Sequence, residues 1–379
     1  MNLVSLIIGY KLNYKGVIIM AMYPPLKFIE QMEEYFRLPA TRSMEGIINA
    51  KAMKFVEEYM KTNRSQLFHD YGTTREIGDA SEVAIQTYTD TYKKFCKMLG
   101  IADGMESIHD FFDLLLYYDV RNTWRKNKLS YLIDNDLFGT LINMEPPKLA
   151  PMDCMTKLPA SCFYIDYNGN GNEIMKDLDG TFIITDKDDE EMNIILVHLV
   201  HSKTLNRELL ITSVLRLPSM DSDKFGTSIT LQAKDLSILC EDGISRVIDE
   251  QKMWKFLFNF LIYLHAANRD VEISERTRQN HEKKIDTIKN KFREVKEFEV
   301  GFTYGRSIRQ GATRIKYVGE KPESTSGGSP KSSHYRSAHW HHFWTGSGEN
   351  KELIIKWVEG VFVNGGKDEA EKVQLHKVK

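Results

Sequence analysis

The chain has 379 residues, 42% hydrophobic and 27% charged, with a formal net charge of -2. This is the composition of a folded globular protein; it excludes a disordered or collagen-like chain and one that coats nucleic acid by bulk positive charge. Its four cysteines, Cys96, Cys154, Cys162 and Cys240, form no C-x-x-C pair, which points to reduced thiols in a cytoplasmic protein rather than a disulfide framework or zinc knuckle.

The opening "MNLVSLIIGYKLNYKGVIIMAMYPP" is apolar but has neither a basic n-region nor a small-residue cleavage site, so it is a poor signal peptide. Codons for Lys15-Gly16-Val17 can resemble a bacterial ribosome-binding site at a suitable distance before Met20. The expectation is a start at Met20 or Met22, with residues 1–22 an untranslated leader; the alternative is a short extra strand.

Residues 23–150 read as a helical region. "DASEVAIQTYTDTYKKFCKMLG" places Asp79 as N-cap, Glu82 three residues on and Gly100 as the stop. "SIHDFFDLLLYYDVRNTWRKNKLSYLI" repeats that cap relation with Ser107 and Asp110, then spaces Phe111, Leu115 and Tyr118 as one helical face. "MEPPKLAP" breaks the pattern and marks a boundary.

Residues 151–379 read as an α+β region. "SCFYIDY", "GTFIITD", "MNIILVHLV" and "RELLITSVLRL" have strand composition, with "TDKDDEEMN" as a hairpin connection. An apolar helix runs from Ser245 to Ala267 and a charged one covers "SERTRQNHEKKIDTIKNKF"; the apolar stretch of the first, "MWKFLFNFLIYLHA" (Met253 to Ala266), carries Lys255 and Asn259, is too short to span a bilayer and reads as a core helix. "FEVGFTYG" and "ELIIKWVEGVFVNG" are strand candidates flanking a loop, expected to be mobile, over 319–334. The fold class is α+β: a helical N-terminal third followed by a mainly antiparallel sheet with packed helices.

Several constellations invite chemistry. "DYNGNGNEIMKD" spaces Asp166, Asn168, Asn170 and Asp177 like a calcium loop. Its flanks are strands and carboxylates are few, so an Asn-Gly hairpin turn is the better reading. In "HYRSAHWHHFW" the strand period puts His339, His341 and Phe343 on one face and Trp340, His342 and Trp344 on the other. His339 and His341 could then hold a metal with a third ligand from His334, His198 or His201, although no recognised ligand spacing accompanies them.

Seven Lys or Arg between Gly301 and Thr345, interleaved with aromatics and opposed only by Glu320 and Glu323, suit stacking and phosphate contact on single-stranded RNA. "YYDVRNTWRKNKLSY" offers a second basic face through Arg121, Asn122 and Arg125, beside Trp124 and Tyr131. No P-loop, G-x-S-x-G or H-E-x-x-H is present. A ribonuclease using His339 and His341, with or without a metal, and a general RNA-binding protein remain open as alternatives.

These segments, in order, resemble the second family of type V-A anti-CRISPR proteins and its mobile-element relatives. The likeness is densest in the tail: His334, Arg336, Ala338, His339-Trp340-His341, Phe343, Trp344 and Gly346, then Lys356, Trp357, Val363 and Asn364. "VRNT", "LPASCFYID", "FLIYLHAANRDVEI" and "FEVGFTYGRSIR" extend it upstream. Ser337 departs from the pattern, where many relatives carry a second Arg.

The resemblance implies a cytoplasmic, non-enzymatic adaptor without cofactor. Such a protein recognises the N-terminal segment of the RNA-guided effector as it leaves the ribosome, and the message is then destroyed. That role requires a surface for a nascent polypeptide and one that reaches the ribosome or mRNA, and no membrane. The binding residues implied are the tail set named above from His334 to Asn364, with Arg121, Asn122 and Arg125 as a secondary basic face.

Overall fold

A computed structural model describes residues 23–37, 50–73, 90–98, 100, 108–147, 150, 153–187, 191–203, 207–218, 236–239, 245–282, 295–317, 334–347 and 352–363. The leader, the Asp79 and Ser107 caps, and residues 319–333 of the expected loop lie outside that set. His334, placed in that loop by the sequence reading, instead opens a strand.

The helices are α1 (Pro24–Arg37), α2 (Ala50–Thr73), α3 (90–98), α4 (Ile108–Asn127), α5 (Asn135–Asn143), the single turn α6 (Asp153–Thr156), α7 (Glu250–His265), α8 (Glu275–Glu282) and α9 (Phe302–Tyr317). The strands are β1 (Leu129–Ile133), β2 (Cys162–Asp166), β3 (Leu178–Lys187), β4 (Glu191–Ser202), β5 (Arg207–Pro218), β6 (Leu236–Leu239), β7 (Ser245–Ile248), β8 (Val271–Ile273), β9 (Lys296–Val300), β10 (His334–Arg336), β11 (His339–Thr345), β12 (Glu352–Val358) and β13 (Val361–Val363).

Seven strands form one sheet in the order β5-β4-β3-β2-β1-β9-β8. β1 runs parallel to β2 and β9, while the other pairs are antiparallel. The fold is thus α+β, with a largely antiparallel but mixed sheet. Both faces of its centre are buried. Cys162, Tyr164, Phe182 and Val197 face the layer containing α1, α2, α3 and α4, whereas Phe163, Ile165, Ile183 and Leu196 face the layer of α5, α7 and α9. Burial on both faces explains why "MNIILVHLV" is a continuous apolar run rather than an alternation.

Arg64 fastens the first helical layer to the sheet. It donates to both oxygens of Asp119 on α4, at 2.7 and 3.1 Å, and to Asp186 on β3. This multidentate pairing offsets the cost of half-burying a guanidinium.

Three sequence assignments are corrected. The helix read through "NKLSYLI" ends at Asn127; Lys128 turns the chain with φ +48 and residues 129–133 become β1, central in the sheet. Trp124 Nε1 donates to the Leu129 carbonyl at 2.8 Å across this reversal, so tertiary pairing overrides a helical period carried on too far. The helix expected from Ser245 begins instead at Glu250, with Asp249 as its cap accepting from the Lys252 amide, and residues 245–248 pair with β6. The strand expected through "FEVGFTYG" stops at Val300. Gly301, at φ +77 and with Leu137 where a Cβ would sit, turns the chain into α9.

The calcium-loop spacing proves to be the turn between β2 and β3. Asp166 accepts the Asn168 amide at 2.8 Å, Gly169 takes φ +83, and one 3-10 turn spans Gly171–Glu173.

Candidate functional site: the C-terminal ribbon

The tail motif folds as a two-stranded ribbon interrupted once. β10 pairs antiparallel with β13, and β11 pairs antiparallel with β12. Gly360 sits at the interruption, where a Cβ would fall 2.0 Å from the Tyr335 hydroxyl, so only glycine fits. The register sets Trp340 opposite Trp357, His341 opposite Lys356 and Phe343 opposite Ile354. Alternation then divides the ribbon into two unlike faces.

The inner face docks on α7 and α9. Trp357 is buried, with its ring centroid 4.9 Å from Trp340, 5.4 Å from Tyr263 and 5.9 Å from Tyr304, all edge-on. That geometry suits the ring quadrupoles and adds ~1 kcal/mol per pair beyond burial. Two asparagines supply the polar fastening. Asn259, in the middle of apolar α7, accepts from Trp340 Nε1 at 2.9 Å. It also donates to the Leu141 and Met144 carbonyls at 3.0 and 2.7 Å, carbonyls that the end of α5 leaves without helical partners. Asn268 accepts the Trp357 amide at 2.9 Å and donates to the Trp357 carbonyl at 2.6 Å, standing in for a neighbouring strand.

Tyr304 completes this floor. Its hydroxyl lies 3.2 Å from Thr140 Oγ1 and 3.4 Å from the Tyr335 hydroxyl. Burial, then the bond to Tyr304, pushes the Tyr335 hydroxyl pKa above its usual range.

The outer face is exposed. His339, His341, Phe343 and Lys356 point outward, with the His341 and Phe343 rings 4.3 Å apart and the Lys356 Nζ 5.0 Å from the Phe343 ring centre. This cation–π arrangement combines one apolar ring, one fixed charge and one imidazole on a strand surface. Burial fades along β11, so Trp344, which has the inward parity, is 60% exposed. Arg336 is exposed at the end of β10. His334 pairs with Val363 through the backbone, and Asn364 lies outside the described residues.

A family model described as "AcrVA2-like: Anti-CRISPR type V subtype A2 family" matches residues 131–365, more than half of the chain. The chain belongs to that family. The match takes in the whole ribbon and the helices under it. Membership in this anti-CRISPR family makes the protein a homologue of AcrVA2, and its function is consistent with that of a type V-A anti-CRISPR protein. A solved structure titled "Crystal structure of AcrVA2" is 18% identical to the chain, covering 83% of it and 98% of itself with a TM-score of 0.43. No curated protein matches.

The other sequence-derived sites of this family member fare unevenly. Arg121 and Asn122 are half-buried and Arg125 exposed on α4, across the sheet from the ribbon, with the Arg121 Nη1 3.3 Å from Asn122 Oδ1. Trp124 and Tyr131, read as lining this basic face, are instead core residues. Arg309 is held by Asp134 at 3.0 Å and by Asp136, which reduces the charge free for RNA. Among the described residues no group of three His, Cys, Asp or Glu could hold a metal ion. His198, one proposed third ligand, is buried in the sheet 2.9 Å from Thr181 Oγ1. No described helix is long and apolar enough to cross a membrane.

Sequence reasoning missed Asn259, Asn268 and Tyr263 as parts of the site, and Tyr304, one of the aromatics interleaved with the basic residues and read as stacking on RNA, is instead buried in the floor. A signal for Asn259 existed: a lone amide inside the apolar run "MWKFLFNFLIYLHA" must find partners once buried.

Proposed function

We propose that this protein is an anti-CRISPR adaptor that recognises the nascent N-terminal peptide of a type V-A effector and causes loss of its mRNA. The outer face of the ribbon is the surface that meets the peptide. The observation that carries this reading is the family match over residues 131–365, because it spans the ribbon whose inner face is docked and whose outer face is free of the core. His341, Phe343 and Lys356 offer a polypeptide a donor or acceptor, a ring and a cation within one strand pair. Arg336 and Trp344 extend the surface toward the ribbon's two ends, and Arg121, Asn122 and Arg125 form a separate basic patch suited to ribosome or mRNA contact.

The test is co-expression with a type V-A effector, following effector transcript and protein. Both fall with the natural protein. The fall disappears when the effector's first residues are replaced, and also in His341→Ala/Phe343→Ala/Lys356→Ala. Effector levels indifferent to its first residues would overturn the adaptor reading. Cleavage of naked RNA by the purified protein, abolished by His341→Ala with the fold intact, would replace it with a ribonuclease.

A further inference from the structure

The outer face of the ribbon has a charge pattern of its own. Three successive cross-strand pairs on it carry no carboxylate: His339 with Val358, His341 with Lys356, and Phe343 with Ile354. Glu352, opposite Thr345, and Glu359, past the end of β12, stand beyond them at the two ends. No Asp or Glu occurs from 324 to 348, in a chain whose net charge is -2. Next to this stretch, exposed Arg336 pairs through the backbone with Val361, itself 47% exposed.

The cations on this face meet no anion. Among the described residues neither Lys356 nor Arg336 forms an ion pair, and the Lys356 ammonium is held instead 5.0 Å from the Phe343 ring centre. The His341 ring contacts the same Phe343 ring and makes no hydrogen bond among the described residues. An ammonium steadied over a ring, with its solvent side open, is placed to accept a carboxylate by a charge-assisted hydrogen bond. Half-exposed Ile354 and Val358 lie on either side of Lys356 along β12. RNA fits less well. A single strand needs a track of cations and open ring faces, whereas here two fixed cations stand among aliphatic side chains and the Phe343 ring is already flanked.

Side chains on one face of an extended chain recur at every second residue, the same period as the cross-strand pairs of the ribbon. We propose that the outer face selects an extended polypeptide bearing a carboxylate two residues from an apolar side chain. The carboxylate lies between Lys356 and His341, and the apolar group lies against Phe343 and Ile354. This rests on the reading of the ribbon as the peptide surface and adds the chemistry that the peptide carries.

Fluorescence anisotropy with the full chain tests it. The probes are the labelled peptide Ser-Thr-Glu-Thr-Leu-Thr-Ser, versions with Gln or Lys in place of the Glu or Ser in place of the Leu, and a short oligouridylate. The Glu peptide binds about tenfold tighter than each of the three altered peptides. Lys356→Glu, an exposed change whose fold a thermal melt verifies, reverses the order, so that the Lys peptide binds tighter than the Glu peptide. Should that variant melt early, Lys356→Gln carries the same test by abolishing the preference for Glu over Gln. Equal binding of the Glu and Gln peptides, an unreversed order in folded Lys356→Glu, or no saturable binding of any peptide would each overturn the proposal. Oligouridylate binding tighter than the Glu peptide, and lost in Lys356→Glu, would overturn it too and give the face to RNA. Effector suppression that persists while the peptides show no charge preference sinks this inference alone. Peptide selectivity in a protein that leaves the effector untouched sinks the effector reading alone.

Discussion

The two faces of the ribbon are built from one strand pair and follow opposite rules. The inner face holds Trp340 and Trp357 against Tyr263 and Tyr304, with the Trp340 N–H matched to Asn259 and the Trp357 backbone amide to Asn268. The outer face sets His341, Phe343 and Lys356 in mutual contact yet open to solvent. Residue type alone does not separate them, since both carry large aromatic rings. What separates them is strand parity together with what lies beneath, so the family's aromatic motif serves two purposes at once. One half anchors and the other is available.

This contrast can be broken from the inside first. Trp357→Ala should cost ~3–5 kcal/mol in a denaturant titration, the range for emptying a large buried aromatic site; a loss below 1 kcal/mol would mean that the inner face is not core. Asn259→Leu should follow at about 2–4 kcal/mol, because it strands the Leu141 and Met144 carbonyls and the Trp340 N–H together. A double variant with Trp340→Phe should cost less than the sum of the two, since they share a bond.

The pH dependence sharpens the same contrast. Tyr335 has its folded pKa raised above 10.0, first by burial and then by the bond to Tyr304. An acid of raised folded pKa holds its proton longer folded than unfolded, so its contribution is fully present below pH 10 and is lost as pH rises beyond. Melting curves between pH 9 and 11 should therefore fall more steeply for the natural protein than for Tyr335→Phe. Parallel slopes would show that the ribbon leaves this hydroxyl in water.

The smallest effects on stability belong to the outer face. His341→Ala/Phe343→Ala/Lys356→Ala should change unfolding free energy by only about 0.5–1 kcal/mol, although it removes suppression of the effector. Trp357→Phe should also be mild, about 1 kcal/mol or less. It shrinks the ring but deletes an indole N–H that is buried without a partner among the described residues.

Much of this was legible in the chain itself. The strands β2 to β5, the hairpin between β3 and β4, and the face alternation of "HWHHFW" follow from β-branched and aromatic runs with polar breaks. The resemblance carried by the tail is matched by the family model. The misreadings share one cause. "KLSYLI", "SRVI" and "GFTYG" are short segments whose local pattern suits two states, and pairing with β2 and β9, pairing with β6, or a left-handed glycine decides between them.

The sequence by itself determined the class of the fold, the alternation of "HWHHFW" into two unlike faces and the family, because composition, period and motif are local properties. Tertiary structure alone decided that Trp357 faces inward while Phe343 faces out, and that Arg309 is tied to Asp134. Those outcomes depend on which distant surfaces meet, and residues far apart in the chain meet only through the register and layering of the whole molecule.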